Sequence, residues 1–295
     1  MADIKSLLQE KRVFKPDAEF ARAANWSKKQ VAEYRKLGDK SPQRFWAQMV
    51  KENVSWFSPW KKTLDWKAPF AKWFVGAKTN VSYNCLDRHL EGENAWRKNK
   101  AAIIWEGEPG DSRVITYAEL HREVCRFANV LKARGVKKKD RVILYMPMVP
   151  EVISILYGCF KVGAVAVPIF SGFGVDATAT RLEDPECSVL FTADGFYRRG
   201  SEVRLKPTAD EAIEEAGCVE NVVVYRRFGD EGDESDADVP WTEGRDEWWG
   251  DTVGAADVGA QRTQLAVDRR LQRGVRAHSG LYQGAYAPLA GLRTA

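Results

Sequence analysis

Between residues 140 and 225 the chain alternates short, doubly apolar runs with helix-length segments, and few architectures accept that alternation. DRVILYM (residues 140–146) has apolar side chains on both faces. A helix then starts at Pro150 and Glu151, runs to about Val162 and is stopped by Gly163. AVAVPIF, SVLFTA and VENVVVY repeat the strand pattern, separated by helices at about residues 176–182 and 209–216. Strands that are apolar on both sides need a covered sheet. The expected fold is therefore α/β, with a largely parallel sheet flanked by helices. Upstream, AAIIWE (Ala101–Glu106) reads as a further strand. Thr116 and Glu119 form a capping-box signature that opens a helix, Leu120, Val124, Phe127 and Leu131 share its apolar face, and Gly135 closes it. VISILYGCFKVGAVAVPIF is interrupted by Lys161, Gly163 and Pro168, so it reads as a helix followed by a buried strand and not as a membrane span.

Three regions are expected. Residues 1–80 form a helical N-terminal extension rich in Trp and Lys, in which SPQRFWAQMVKENVSWF places Phe45, Met49 and Val50 on one side of a helix and Lys51 and Glu52 on the other. Residues 81–252 form the α/β part, closing with the acidic loop FGDEGDESDADVPW and the segment TEGRDEWW. Residues 253–295 form an atypical tail. Lysine occurs 21 times up to Lys206 and never afterwards, and glutamate stops at Glu247. In residues 258–295, Ala, Gly, Arg and Leu fill 23 of 38 positions, and six Arg stand against the single acid Asp268. That region carries +5 against a net +4 for the whole chain, so the remainder is at −1, close to neutral, and gives no argument for nucleic acid or an anionic membrane.

Five cysteines (Cys85, Cys125, Cys159, Cys187, Cys218) are widely spaced, as expected of reduced, mostly buried thiols and not of a metal site. MADIKSLLQEKR lacks the apolar stretch of a signal peptide, and a cytoplasmic, soluble protein is expected. The sequence contains no Gly-x-x-x-x-Gly-Lys-Ser/Thr loop, no His-Glu-x-x-His and no Gly-x-Ser-x-Gly. The histidines His89, His121 and His278 look isolated and read as surface or capping residues. Two loops are more suggestive. IFSGFG (residues 169–174) leaves a strand through two glycines, which allow a ligand close to the backbone at the carboxyl end of the sheet. FTADGFYRRG (residues 191–200) presents Arg198 and Arg199, which could clamp a phosphate.

KWFVGAKTNVSYNCLDRHL, ITYAELHREVCRFANVLKARGVKKKDRVILYMPMVPE, KVGAVAVPIFSGF and LFTADGFYRRG occur in that order. Together they resemble the AMP-forming acyl-CoA ligases of the adenylate-forming superfamily, acetyl-CoA synthetases in particular, over roughly residues 20–250. The resemblance implies the N-terminal part of the adenylate-forming fold. The activity it implies is acetate–CoA ligation: ATP activates acetate to an acetyl-adenylate with release of pyrophosphate, and CoA then displaces AMP. It assigns Phe170, Ser171 and Gly172 to a loop beside the CoA nucleotide and Arg198 to the CoA phosphates. The family's run there ends Arg-Gly-Gly-Arg, whereas this sequence has Arg198, Arg199, Gly200 and Ser201, so one phosphate contact is lost or moves to Arg199. CoA, ATP and Mg2+ are implied as substrates and cofactor, none tightly held, with acetate, CoA and ATP as small-molecule partners and neither nucleic acid nor membrane.

The sequence departs from the family where a Ser/Thr-Gly-rich loop ending Lys-Pro-Lys-Gly should cradle the triphosphate. HSGLYQGAYAP (residues 278–288) is a poor substitute. No catalytic or metal-binding residue can be assigned, and the chain alone is expected to be inactive. The composition of the tail resembles out-of-frame translation of GC-rich DNA, and a frameshift near residues 252–258 is the expectation. The alternative is a non-catalytic CoA- or nucleotide-binding module, or one subunit of a split synthetase whose C-terminal half is encoded separately.

Overall fold

A computed structural model describes residues 12–184, 188–229, 238–254 and 256. Cys187, His278 and nearly all of the tail, with its proposed frameshift, lie outside the described residues. The chain divides into two units, Met1–Ser55 with Pro59–Ala77, and Trp56–Ser58 with Lys78–Ala295.

The first unit holds α1 (Ala18–Ala23), α2 (Lys28–Lys40), α3 (Pro42–Asn53) and an antiparallel hairpin of β1 (Lys62–Lys67) and β2 (Phe70–Val75). Ser27 and Gln30 cap α2 reciprocally, and Pro42 starts α3, where its missing N–H costs nothing. Phe45, Met49 and Val50 are half-buried and Lys51 and Glu52 exposed, as the periodicity requires. Edge-to-face contacts between Trp26 and Tyr34 (4.6 Å) and between Tyr34 and Phe45 (6.2 Å) join α2 to α3. The hairpin is an addition to the helices expected here.

The second unit runs α4 (Val81–Cys85), β3 (Ala101–Glu106), β4 (Ser112–Thr116), α5 (Tyr117–Ala133), β5 (Arg141–Met146), α6 (Glu151–Val162), β6 (Val165–Phe170), α7 (Val175–Glu183), β7 (Val189–Ala193), β8 (Gly195–Arg198), β9 (Ser201–Arg204), α8 (Lys206–Ala216), β10 (Asn221–Tyr225) and β11 (Asp246–Trp248). Five strands form one parallel sheet in the order β11-β10-β7-β5-β6. From β5 the chain steps outward to β6 and then returns past β5 to β7. Right-handed crossovers put α6 and α7 on opposite faces. Accordingly α5 packs with α6, and α7 with α8.

The core is built as the apolar runs demand. Val142, Ile143, Leu190, Phe191, Val222, Val223 and Val224 are fully or almost fully buried. Phe127 of α5 packs edge-to-face on Phe191 and stacks on Trp249. A Cβ at Gly158 of α6 would collide with the Phe127 ring, so the glycine sets how closely α5 and α6 approach. The Thr116–Glu119 capping box forms, with Glu119 Oε2 accepting the Thr116 N–H at 2.8 Å, and Gly163 ends α6 with φ 84°.

Two strand expectations need correction. AAIIWE (β3) does not join the parallel sheet. It pairs antiparallel with β4 in a separate hairpin, because the Gly107–Gly110 turn folds it back onto SRVIT. AVAVPIF forms β6, but at the sheet edge: Val165 and Phe170 are 47% and 61% exposed, and of β6 only Ile169 is buried. Pro168, which lacks an N–H, suits that edge and blunts it against further pairing.

Candidate functional site

The direction of chain progression reverses at β5, so the switch point of the sheet lies between the carboxyl ends of β5 and β7. Both loops singled out in the sequence leave this same edge. The β6 loop turns at once, with the Phe173 N–H donating to the Phe170 carbonyl (3.0 Å). Tyr145 of β5 donates its hydroxyl to the Phe173 carbonyl at 2.7 Å and fixes the loop. A Cβ at Gly172 would strike the Phe170 ring, so this glycine permits the turn, and Ser171 stands between the two. The Phe170 and Phe173 rings meet edge-to-face at 5.6 Å, and the Arg181 guanidinium lies over Phe173 at 4.5 Å.

Beyond β7, the strands β8 and β9 make a tight hairpin. Arg198 pairs with Ser201 across a two-residue turn of Arg199 (φ 53°) and Gly200 (φ 75°). Positive φ at both central residues is the geometry whose twist matches a hairpin, and it is natural for glycine but costly for arginine. The four residues Arg198, Arg199, Gly200 and Ser201 are thus brought together at one exposed tip. Among the described residues no carboxylate pairs with either guanidinium. β6 and β7 flank β5, so the two loops leave the edge about 10 Å apart by ordinary strand spacing.

Asp194, at the β7–β8 junction, is the fixed point of this region. It is buried, and it accepts backbone N–H bonds from Gly195 (2.6 Å), Arg227 (2.8 Å) and Phe228 (3.1 Å). Burial pushes its carboxyl above the ordinary aspartate range, against the downward pull of those three donors. One side chain thereby ties the base of the hairpin to the segment after β10.

The β3–β4 turn reaches the same place. Asp111 pairs with Arg227 (3.0 Å), whose guanidinium lies over the rings of Tyr197 (4.9 Å) and Trp105 (5.3 Å). Arg113 binds Glu151, at the start of α6, through two bonds of 2.8 and 2.9 Å and also covers Trp105. The Trp105 indole donates to the Met148 carbonyl (2.8 Å), and the Gly200 N–H donates to Glu108 Oε1 (2.7 Å). Burial, with the Glu151 carboxylate, pushes the neighbouring Tyr225 hydroxyl up to about 12. Sequence reasoning missed Glu108, Trp105 and Asp194. The only local signal was Asp-Gly after an apolar run, an ordinary turn signature at Asp194.

Away from this edge, His121 is not isolated. Its Nε2 lies 3.1 Å from Asp87 Oδ1, which also takes Lys161 Nζ at 2.6 Å, and the Cys125 sulfur lies 3.7 Å from the ring. Burial opposes the imidazolium, but Asp87 and then Cys125 prevail and the His121 pKa is pushed up to about 9. His89 contacts Arg97 through Nδ1 (2.8 Å). Cys125 and Cys159 are buried, Cys218 half-buried and Cys85 exposed. Among the described residues no three His, Cys, Asp or Glu side chains gather to hold a metal, and no helix is long and apolar enough to cross a membrane.

A parallel sheet with a switch point, and loops from its carboxyl edge presenting a phenylalanine–glycine turn and a di-arginine tip, define an open α/β class whose ligand sites lie at this edge. Residues 90–268 match the family model for AMP-binding enzyme, and residues 31–85 match that for the acetyl-coenzyme A synthetase N-terminus. The chain belongs to the AMP-binding enzyme family. It is 43% identical over 256 residues to an acetyl-coenzyme A synthetase of Chlorobaculum tepidum, covering 86% of this chain and 37% of that protein. It is 46% identical over 250 residues to an acetyl-coenzyme A synthetase of Gemmatimonas aurantiaca, covering 84% and 37%. In fold it is similar to an acetoacetyl-CoA synthetase from Streptomyces lividans, with a TM-score of 0.67 at 24% identity over 82% of this chain and 38% of that one. The chain spans little more than a third of the length of these relatives.

Proposed function

We propose that this chain supplies the coenzyme-facing part of an AMP-forming ligase joining acetate, or a close short-chain acid, to CoA in the cytoplasm. The observation that carries the reading is the 46% identity over 250 residues to an acetyl-coenzyme A synthetase. That likeness favours a synthetase over a non-catalytic binding module. In the proposed reaction an acetate oxygen attacks the α-phosphorus of ATP, and pyrophosphate leaves to give acetyl-adenylate. The thiol sulfur of CoA then attacks the acyl carbon, loses its proton and expels AMP. Mg2+ would neutralise charge on the triphosphate during the first step.

On this reading the CoA nucleotide lies against Phe170, Ser171 and Gly172, and its phosphates meet the tip formed by Arg198, Arg199, Gly200 and Ser201. The exposed guanidiniums at that tip support the assignment, since two arginines in a fixed turn suit phosphate recognition. For the triphosphate, no Lys-Pro-Lys-Gly loop occurs in the sequence. The adenylation step therefore calls for a longer protein or a separately encoded C-terminal half.

The test is CoA titration by calorimetry together with acetate-dependent ATP–pyrophosphate exchange, both on the 295-residue chain. CoA binding weakened about tenfold or more by Arg198→Ala, without exchange, is the expected result. Measurable exchange would overturn the assignment of adenylation elsewhere. CoA binding indifferent to Arg198→Ala would overturn the phosphate site.

A further inference from the structure

Glu108 stands on the β3–β4 turn, far in sequence from the di-arginine tip, yet its carboxylate reaches that tip. Gly200 is the second central residue of the two-residue turn. In such a turn the flanking residues, here Arg198 and Ser201, make the closing pair, and the Gly200 N–H points outward. Glu108 Oε1 takes that N–H at 2.7 Å. A carboxylate thus sits on a backbone donor of the turn that carries the two exposed arginines, neither of which has an acidic partner among the described residues, an arrangement that suits an oxyanion.

The backbone carrying Glu108 is tied down independently. The Gly107 N–H donates to the Asp111 carbonyl (2.7 Å), the Gly110 N–H to the Gly107 carbonyl (2.9 Å), and Asp111 binds Arg227. A Cβ at Gly107 would press on Arg227 and on the Trp105 ring, so the turn is packed as well as hydrogen-bonded. The Glu108 side chain itself is exposed. It can therefore leave Gly200 by rotating about its own bonds while the turn stays in place.

We infer that Glu108 is a built-in competitor for the phosphate-binding tip: its carboxylate occupies the Gly200 N–H and repels an incoming phosphate, which must displace it to bind. This rests on the reading that CoA phosphates engage the Arg198–Ser201 turn. Glu108 then sets the affinity and phosphate selectivity of the site without touching the reacting atoms. It opposes the more highly charged ligand most strongly, because like-charge repulsion grows with the ligand's charge.

Calorimetric titration of the full chain with CoA and with dephospho-CoA tests this on wild type, Glu108→Gln, Glu108→Ala and Arg198→Ala. Glu108→Gln keeps the shape and removes the charge, and Glu108→Ala removes the acceptor as well. Both are expected to bind CoA about three- to tenfold more tightly than wild type, with Glu108→Ala at the upper end. A gain confined to CoA assigns the displaced position to the 3′-phosphate, and a gain shared by dephospho-CoA assigns it to the diphosphate. Either result supports the competitor. Unchanged or weaker CoA binding in both Glu108 variants, with Arg198→Ala still weakening it, overturns the competitor and leaves the phosphate site standing. CoA binding indifferent to Arg198→Ala, or no CoA binding by wild type, overturns the site and the competitor with it.

Discussion

Replacing Asp194 by asparagine alters its volume hardly at all but removes one acceptor from a buried position that uses both. Oδ1 receives the Gly195 and Arg227 N–H groups and Oδ2 receives that of Phe228. An amide offers its oxygen on one side only. The cheaper orientation keeps the oxygen on Gly195 and Arg227 and turns the NH2 toward the Phe228 N–H, leaving donor against donor. A buried donor without a partner costs about 1–3 kcal/mol. The two surviving bonds lose their charge assistance, which removes roughly another 1 kcal/mol. Burial acts the other way, since it already penalises the charged carboxyl and a neutral amide is easier to bury. The net loss is expected at about 2–3 kcal/mol, or roughly 5–10 °C in Tm for a unit of this size. Urea and thermal unfolding followed by tryptophan fluorescence measure it. A loss below about 1 kcal/mol would refute the reasoning, because it would mean that the three N–H groups find other acceptors. CoA titration adds a second readout, since a hairpin freed at its base should present Arg198 less well.

The His121–Asp87 pair makes stability depend on pH. The folded state holds the imidazolium proton more tightly than the unfolded chain. The stabilisation is therefore complete below about pH 6.5 and is lost as the pH rises through about 9. Roughly 3 kcal/mol should disappear across that window, and His121→Asn should flatten urea midpoints measured from pH 6 to pH 9.5. Lys206 is fully buried and binds Asp210, Asp246 and the Pro240 carbonyl at 2.7–3.0 Å. Lys206→Met should cost about 2–4 kcal/mol in a urea titration, since Asp246 retains Arg245 and the Thr242 N–H but loses its lysine.

What could be read from the sequence was local. The Thr116–Glu119 cap, the glycine stop at Gly163 and the strands β5, β7 and β10 all carry their signals within a few residues. Whether an apolar run lies at the centre or the edge of a sheet depends on strand order, so AVAVPIF gave no hint that β6 stands outermost. β4 was hidden because SRVIT is short and runs straight into the Thr116 cap. β11 is three residues with two acids, DEW, and no propensity argument would choose it. The site was legible only as two loops. Its supports join residues far apart in the chain: Asp194 with Arg227, Glu108 with Gly200, and Asp111 with Arg227. The left-handed Arg199 is equally silent in sequence, since arginine rarely accepts that conformation.

The buried cluster behind β11 changes what the end of the sheet can do. Three ladder positions against β10 are too few to hold a strand that could fray one residue at a time. Asp246 lies in that strand and Lys206 opens α8, so β11 cannot peel away without taking one of the two carboxylates from a lysine that has no access to water. The far edge of the sheet and the first turn of α8 therefore open together as a single foldon, although some forty residues separate them along the chain.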